Sequence, residues 1–395
     1  MSEFTIMDLR RPPLGRRLRL GVVGGGRGGL VGQWHASGVR LSNHWEIVAG
    51  ALSSRPDNAA LSATDWIIPP ERSYTDWAEM ARVEAAREDG VEAVFVCTPN
   101  FTHHDISAAF LKAGIAVICD KPMTRTVEEA HSLAGIAAET GTPLFVTYPY
   151  MHHAMARQAA EMVATGAIGK IRQIRAEYLQ DWATGPADPE SSGQAWRQDP
   201  AKVGRTAAVA DIGTHAFHAL EYMSGLRADA LRADFHTCGA PKGGLEDTAF
   251  ISLKMQDDVP AHLHISQAAP GQHCGLRVQI WGDEGGIYWD QEHPELLRHA
   301  PLGQPERHLV RGQAGSMGNG ASWLSHLPPG HSEALPDAWS NLYAEMGFAL
   351  ASHLIGTTLP EGLIQTWDVS EGVRGVVFSD RCADSHEAGG IWLQI

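Results

Sequence analysis

The chain has 395 residues, enough for two domains, and a formal net charge of −15 at pH 7. Its 44% hydrophobic and 19% charged residues exclude a disordered chain, and the acidic balance excludes a broad nucleic-acid-binding face. No apolar run reaches the roughly 18 residues of a membrane-spanning helix. The five cysteines (Cys97, Cys119, Cys238, Cys274, Cys382) are scattered without a C-x-x-C pair, which argues against a disulfide framework or zinc knuckle and fits a cytoplasmic location. The N-terminal basic residues Arg10, Arg11, Arg16, Arg17 and Arg19 precede too short an apolar run, Leu20–Val23, for a secretory signal. Residues 1–17 read as a flexible arm.

From Leu18 to Thr147, short apolar runs alternate with helical stretches. The runs are Leu18–Val23, Glu46–Leu52, Val91–Cys97, Ile115–Cys119 and Leu144–Thr147. They lack polar alternation, as strands buried on both faces do. Thr75–Glu88 and Thr102–Lys112 read as helices between them. Gly90, Gly114 and Gly141 stand where left-handed helix caps belong, and Thr126 with Glu129 has capping-box spacing. Repeated strand–helix units predict a doubly wound parallel α/β sheet over residues 1–149. The pattern then changes. Met151–Thr165 reads as one helix and Ile171–Leu179 as a half-buried strand. Leu231–Thr237, Asp247–Met255, Ala261–Gln267, Leu276–Trp281 and Gly286–Trp289 follow as strands, and Asp337–Ile355 as a helix. Residues 150–395 are therefore expected to form an α+β domain with a largely antiparallel sheet.

The first strand runs into Gly24-Gly25-Gly26-Arg27-Gly28-Gly29, in which Gly24, Gly26 and Gly29 fit G-x-G-x-x-G. One glycine permits a tight turn, one lets the backbone approach a pyrophosphate, and one allows close helix–strand packing. A dinucleotide is expected here, with Gly32 leaving the register of the loop open. The second strand ends in Ser53-Ser54-Arg55. An acidic residue at that point would favour NAD and a nearby arginine would suit NADP; this chain has no acid before Asp57, so both remain open.

Two clusters carry potential chemistry. Cys119-Asp120-Lys121-Pro122 follows a buried strand, which puts Lys121 at the carboxyl end of the sheet. Asp211-Ile212-Gly213-Thr214-His215 places Asp211 and His215 on one face if helical. Oxidation of an alcohol by hydride transfer needs a base for the hydroxyl proton and a cation or donor for the oxygen. His215 suits the first task and Lys121 the second, with Asp211 orienting the imidazole. The plain alternatives are a loop lysine and a chance Asp/His pair. Asp211, His215 and His218 would also suit a metal, but metals recruit a tighter set and none is expected.

The glycine turn, the Asp-Lys-Pro run and the Asp-x-x-x-His run together resemble the Gfo/Idh/MocA family of sugar and polyol dehydrogenases, over nearly the whole chain. Asp120 stands where that family usually has Glu. The resemblance implies a Rossmann domain binding NAD, with NADP as the other option, and catalytic Lys121, Asp211 and His215. It implies that the nicotinamide lies near Thr98, Pro99, Asn100 and His103, and that an open sheet face in the second domain is covered by dimer or tetramer formation. Arg27, Gly28, Asp120 and Lys121 would join the cofactor site. Ala51-Leu52-Ser53-Ser54, Trp196-Arg197-Gln198-Asp199-Pro200 and Pro329-Gly330-His331 resemble a subgroup acting on cyclic polyols and hexoses, inositol dehydrogenases among them. Arg197 and His331 would then contact substrate hydroxyls, and Tyr148 and Tyr150 could line the pocket. Ser332-Glu333-Ala334 departs from the proline and glycine that this resemblance leads one to expect. The alternatives are an NAD-dependent glycosidase of the same fold and a non-catalytic, dinucleotide-binding regulator.

Overall fold

The structure is a computed structural model that describes residues 9–29, 31–186, 196, 199–241, 243–359, 363 and 367–395. The chain divides into two compact units. The first contains the chain up to Thr147 and a returning stretch, Trp339–Val373; the second contains nearly all of the stretch between Tyr148 and Ala338, and Arg374–Ile395. Sequence patterning places a boundary at 149/150 and does not foresee the return.

The first unit is built on five parallel strands, β1 (Leu18–Gly24), β2 (Trp45–Ala51), β3 (Ala93–Cys97), β4 (Ala116–Cys119) and β5 (Leu144–Val146), in the order β2-β1-β3-β4-β5. Leu20, Val22, Val94, Phe95, Val117 and Ile118 are fully buried. That is why these strands read as unbroken apolar runs. The helices are α1 (Val31–Ser42), α2 (Pro56–Trp66), α3 (Trp77–Ala85), α4 (His103–Lys112) and α5 (Val127–Thr140). Helix α3 is shorter than the predicted Thr75–Glu88, because Asp76 caps it by accepting the Ala78 N–H at 2.8 Å. Gly114 and Gly141 take the left-handed conformation expected of them, at φ 76° and 66°. Gly90 does not. It is required for close approach instead, since a Cβ there would meet the Glu84 carbonyl oxygen at 2.0 Å. Thr126 caps α5 by accepting the Glu129 N–H at 3.2 Å, and the Glu129 carboxylate reaches the Arg125 N–H at 3.1 Å, one residue before the cap.

The described part of the N-terminal arm differs from the flexible segment expected. Leu9 is buried, and its carbonyl faces His44 Nε2 at 2.6 Å. Arg16 makes a two-pronged contact with Glu92 at 2.6 and 2.8 Å, and Arg17 donates to Asn43. Arg16 and Arg17 thus find partners just before β3 and β2, a matter of tertiary proximity that composition does not carry.

The second unit contains a nine-stranded sheet. Its strands are β6 (Ile171–Leu179), β7 (Ala228–His236), β8 (Thr248–Met255), β9 (Pro260–Ser266), β10 (Gly275–Gly282), β11 (Gly285–Asp290), β12 (Leu296–Pro301), β13 (Arg307–Val310) and β14 (Leu393–Gln394). They lie in the order β13-β12-β11-β10-β6-β9-β8-β7-β14, antiparallel except for the parallel β6–β9 pair. The predicted helix Met151–Thr165 is a 3-10 turn, Pro149–His152, followed by α6 (Ala154–Ala164); the extended backbone of His153 separates the two. Of the remaining long helices described, α7 (Thr214–Ser224) and most of α9 (Val369–Glu387) belong to this unit, and most of α8 (Leu335–Ile355) belongs to the returning stretch of the first. One face of the sheet supplies the core: Ile174, Ile251, Leu263, Val278 and Trp289 bury against Phe217, Leu220 and Phe378. The opposite face alternates outward, with Arg175, Phe250, Lys254 and Trp281 exposed.

Glu221, near the end of α7, is a buried carboxylate that accepts from Arg374 Nε and Nη2 at 2.7 and 2.6 Å, from Arg227 at 2.8 Å and from the Ala228 N–H at 2.7 Å. It ties α9 and β7 to α7. Arg374→Met removes the two-pronged partner and leaves the charge with one arginine and one amide. Urea unfolding is expected to show a loss of about 3 kcal/mol.

Candidate active site

The glycine turn follows β1 directly. Gly24, Gly25 and Gly28 have φ of 90°, 71° and 90°, a region that side chains other than glycine rarely enter. A Cβ on Gly26 would lie 2.5 Å from the Leu52 carbonyl oxygen, and one on Gly32 would lie 2.5 Å from the Gly25 Cα. The turn therefore presents bare backbone, as the approach of a pyrophosphate requires. The tightest helix-to-turn approach belongs to Gly32 on α1. The Arg27 N–H donates to Ser62 Oγ at 2.9 Å, and its guanidinium pairs with Asp65 at 2.6 Å on the surface. At the end of β2, Ser53 Oγ accepts the Arg55 N–H at 3.2 Å, while Ser54 and Arg55 are exposed.

The next two strands end beside one another. Thr98, Pro99 and Asn100 follow β3, and Asp120, Lys121 and Pro122 follow β4, with a cis peptide between Lys121 and Pro122. His103, buried in the first turn of α4, lies between the Thr98 carbonyl at 2.8 Å and the Pro122 carbonyl at 3.1 Å. It packs between the two loops; burial lowers its pKa, and the neutral ring donates its single N–H to one of the two carbonyls.

Asp120 is the centre of a buried network. Its Oδ1 accepts the Lys121 N–H at 2.9 Å and the Thr147 hydroxyl at 2.8 Å, and lies 3.8 Å from His35 Nε2. His35 stacks on Phe95 at 4.9 Å, with Nδ1 2.7 Å from the Tyr343 hydroxyl. Burial opposes ionisation of Asp120, but His35, Lys121 and Thr147 outweigh it and hold the carboxyl below the usual carboxylate range. Sequence reading missed His35, Thr147 and Tyr343. They lie on separate elements, and no local motif links them to Asp120.

The second set of predicted residues gathers in the second unit. Asp211 sits in a π-helical turn, Val209–Gly213, that runs into α7, where His215 is buried. Tyr148 and Tyr150 pack edge-on to the His215 ring at 5.7 and 4.8 Å between centroids, and Tyr178 lies at 6.2 Å. His218 stacks on Tyr148 at 4.2 Å. Gly375 on α9 makes room for Tyr148, since a Cβ there would fall 2.4 Å from its hydroxyl. The hydroxyls of Tyr150 and Tyr178 are 2.7 Å apart, and Cys274 Sγ lies 3.2 Å from that of Tyr178. Burial pushes both hydroxyls well above the ordinary tyrosine pKa. Asp211 Oδ2 accepts from Gln267 Nε2 at 2.8 Å. Tyr178, Cys274 and Gln267 are further residues that sequence reading did not single out. Among the described residues, no group of three His, Cys, Asp or Glu side chains is placed to hold a metal ion.

Arg197 lies outside the described residues. His331 is exposed; its carbonyl accepts from Arg311 and its N–H donates to the Pro328 carbonyl at 3.2 Å. The loop around it is fastened by buried Arg311, which also bonds Glu295 at 2.6 Å, Ser325 Oγ at 2.8 Å and the Leu327 carbonyl at 2.7 Å. Glu333, in the run that departs from the expected pattern, lies 3.1 Å from Arg311 and accepts the N–H groups of His326 and Leu327 at 2.6 and 2.7 Å.

A parallel sheet with a bare glycine turn after one strand and a lysine at the carboxyl end of another defines a dinucleotide-binding oxidoreductase of the Rossmann type. Residues 18–148 match the model of the oxidoreductase family with an NAD-binding Rossmann fold, and residues 156–288 match the GFO/IDH/MocA C-terminal domain. The chain belongs to the GFO/IDH/MocA oxidoreductase family and carries its NAD-binding Rossmann fold. It is 30% identical to the uncharacterized oxidoreductase YfiI of Bacillus subtilis, over 96% of this chain and 98% of that one. An inositol dehydrogenase homologue from Azotobacter vinelandii, solved with NAD+, is 31% identical and superposes with a TM-score of 0.94 over 98% of this chain and 99% of that one. A structure of the same description with NADH and myo-inositol gives 31% identity and a TM-score of 0.91, over 96% and 98%. Levoglucosan dehydrogenase of Pseudarthrobacter phenanthrenivorans is 26% identical over 72% of this chain and 76% of its own.

The Asp120 network has a pH signature. A carboxyl whose folded pKa is depressed contributes stability above its unfolded value, near 3.9, and loses it as pH falls through the folded value. The stability difference between the parent and Asp120→Asn is therefore expected to be largest at about pH 7 and to shrink toward about pH 3. Urea unfolding of both proteins at the two pH values measures it.

Proposed function

We propose that this protein oxidises a secondary hydroxyl of a cyclic polyol or sugar, of inositol or hexose type, with NAD as the favoured acceptor and NADP as the alternative. The observation that carries the reading is Lys121, held at the carboxyl end of β4 by the Asp120 network, in a chain that aligns over 96% of its length with a protein solved with NADH and myo-inositol. The residues of the glycine turn, with Ser53 and Ser54, suit the dinucleotide. When bound, the nicotinamide supplies the hydride acceptor. His215 is the proposed base for the hydroxyl proton. Lys121 offers a cationic donor to the substrate oxygen as negative charge develops there, and Asp211 stabilises the imidazolium that forms. Tyr148 and Tyr150 hold the imidazole edge-on and leave its orientation little freedom. Arg197 and His331 are proposed to contact further hydroxyls of the substrate.

Initial rates with NAD and NADP over inositols, D- and L-hexoses and their glycosides test the reading. Production of NADH or NADPH with a cyclic polyol or hexose is expected, and no reduction across the panel would overturn it. Lys121→Ala is expected to lower kcat by about two to four orders of magnitude while dinucleotide affinity, read by fluorescence titration, stays near the parent value.

The outward face of the nine-stranded sheet carries half-exposed Phe250, with Trp281 also exposed, among charged neighbours. We propose that a second copy of the chain covers it, as a dimer or within a tetramer. Phe250→Asp is expected to shift the mass measured by light scattering toward the monomer; an oligomer of unchanged mass and stability would count against this face.

A further inference from the structure

We infer that Gln267 is a positioning residue that acts through Asp211, fixing its carboxylate for the proton transfer assigned to His215. The inference rests on the catalytic reading of Asp211 and His215 given above. Gln267 lies one residue beyond β9 and is buried. Its main chain is fixed on both sides: its N–H donates to the Asp247 carbonyl at 2.8 Å, and its carbonyl accepts the Ala183 N–H at 2.9 Å. From that anchored backbone the side-chain amide donates to Asp211 Oδ2 at 2.8 Å. A hydrogen bond to a carboxylate is roughly twice as strong as one between neutral groups.

The other side of Asp211 is also anchored. The aspartate occupies a π-helical turn, a rare element that concentrates at functional sites. The entry to that turn is capped from a distance by Glu246, whose carboxylate accepts the N–H of Ala207 at 2.8 and 2.9 Å and that of Val209 at 2.9 Å. Glu246 and Asp247 are consecutive. One short segment thus holds both the start of the turn and the backbone of Gln267. The Asp247 carboxylate pins this segment in turn, accepting the N–H groups of Cys238 and Gly239 at 2.8 and 2.9 Å.

The residue type matters as much as the distance. An apolar side chain of the same shape would fill the space without orienting a carboxylate. A lysine or arginine would orient it but cancel its charge. An amide donates one proton and adds no charge, so the full negative charge stays available to stabilise the imidazolium formed when His215 accepts the substrate proton.

The test is a double-mutant cycle in the full-length protein, with the most active polyol of the panel as hydride donor. Gln267→Met keeps the length and removes the donor. It is expected to lower kcat about ten- to a hundredfold, as small misplacements of catalytic groups do, with dinucleotide affinity unchanged. On the Asp211→Asn background the same substitution is expected to add less than about a twofold loss, because the two residues act as one unit. Gln267→Glu, which keeps the shape and sets a second carboxylate oxygen against Asp211, is expected to lose at least as much as Gln267→Met and serves if the methionine variant does not fold. A parent-like kcat in either Gln267 variant, or losses that multiply in full on the Asp211→Asn background, would overturn the inference. A parent-like rate in Asp211→Asn itself would instead overturn the catalytic reading of Asp211, and the inference with it.

Discussion

A strand buried on both faces can carry polar chemistry only at its ends. In the first unit that constraint decides everything else. The five parallel strands are so apolar that glycines, serines, Asp120 and Lys121 stand where the chain leaves the sheet, and all leave at the carboxyl ends. Polar groups gathered at one edge still need fixing. Two buried histidines do that work with different partners: His103 joins the loops after β3 and β4, while His35 faces Asp120 and is held by Phe95 and Tyr343. The backbone of Lys121 is thus fixed by Asp120, which Thr147 and His35 hold in turn.

The same constraint explains how much of this unit was legible in the sequence. Double burial leaves an unbroken apolar run, and positive φ or close approach leaves a glycine, so the strands and the turn could be read locally. Gly90 marks the limit. Its neighbours suggested a helix cap, but its requirement comes from the Glu84 carbonyl packed against it, and proximity across a fold has no local pattern. The N-terminal arginines failed for the same reason: Glu92 and Asn43, their partners, are distant in the chain.

In the second unit the strands from Ile171 to Trp289 showed through their alternation, whereas β12, β13, β14 and helix α9 did not. Strand β12 leaves only Leu297 fully buried, β13 has no buried residue, and β14 is two residues long, so none leaves a strong period-two signal. The candidate site was half legible. Asp211 and His215 stand four residues apart and announce themselves by spacing. Tyr178 and Gln267 reach the same region because β6 and β9 run parallel, with Leu179 opposite Ser266, a register that sequence does not display. Family membership supplies what spacing alone could not, namely that the Lys-Pro and Asp-x-x-x-His runs stand in an oxidoreductase of the GFO/IDH/MocA family.

The loop that ends near His331 shows a different kind of dependence. Where the resemblance led one to expect a proline and a glycine, which stiffen and bend a backbone by covalent geometry, this chain has Glu333 accepting two backbone N–H groups and paired with buried Arg311. Rigidity has moved from the main chain to a charge pair. Residues 295, 311, 325, 327, 331 and 333 are then ordered together, because one guanidinium serves nearly all of them. Such a loop cannot drift one residue at a time. The dependence is lopsided: loss of Arg311 leaves buried Glu333 without its cation, whereas loss of Glu333 still leaves Arg311 its bond to Glu295, so the guanidinium is the member on which the segment turns.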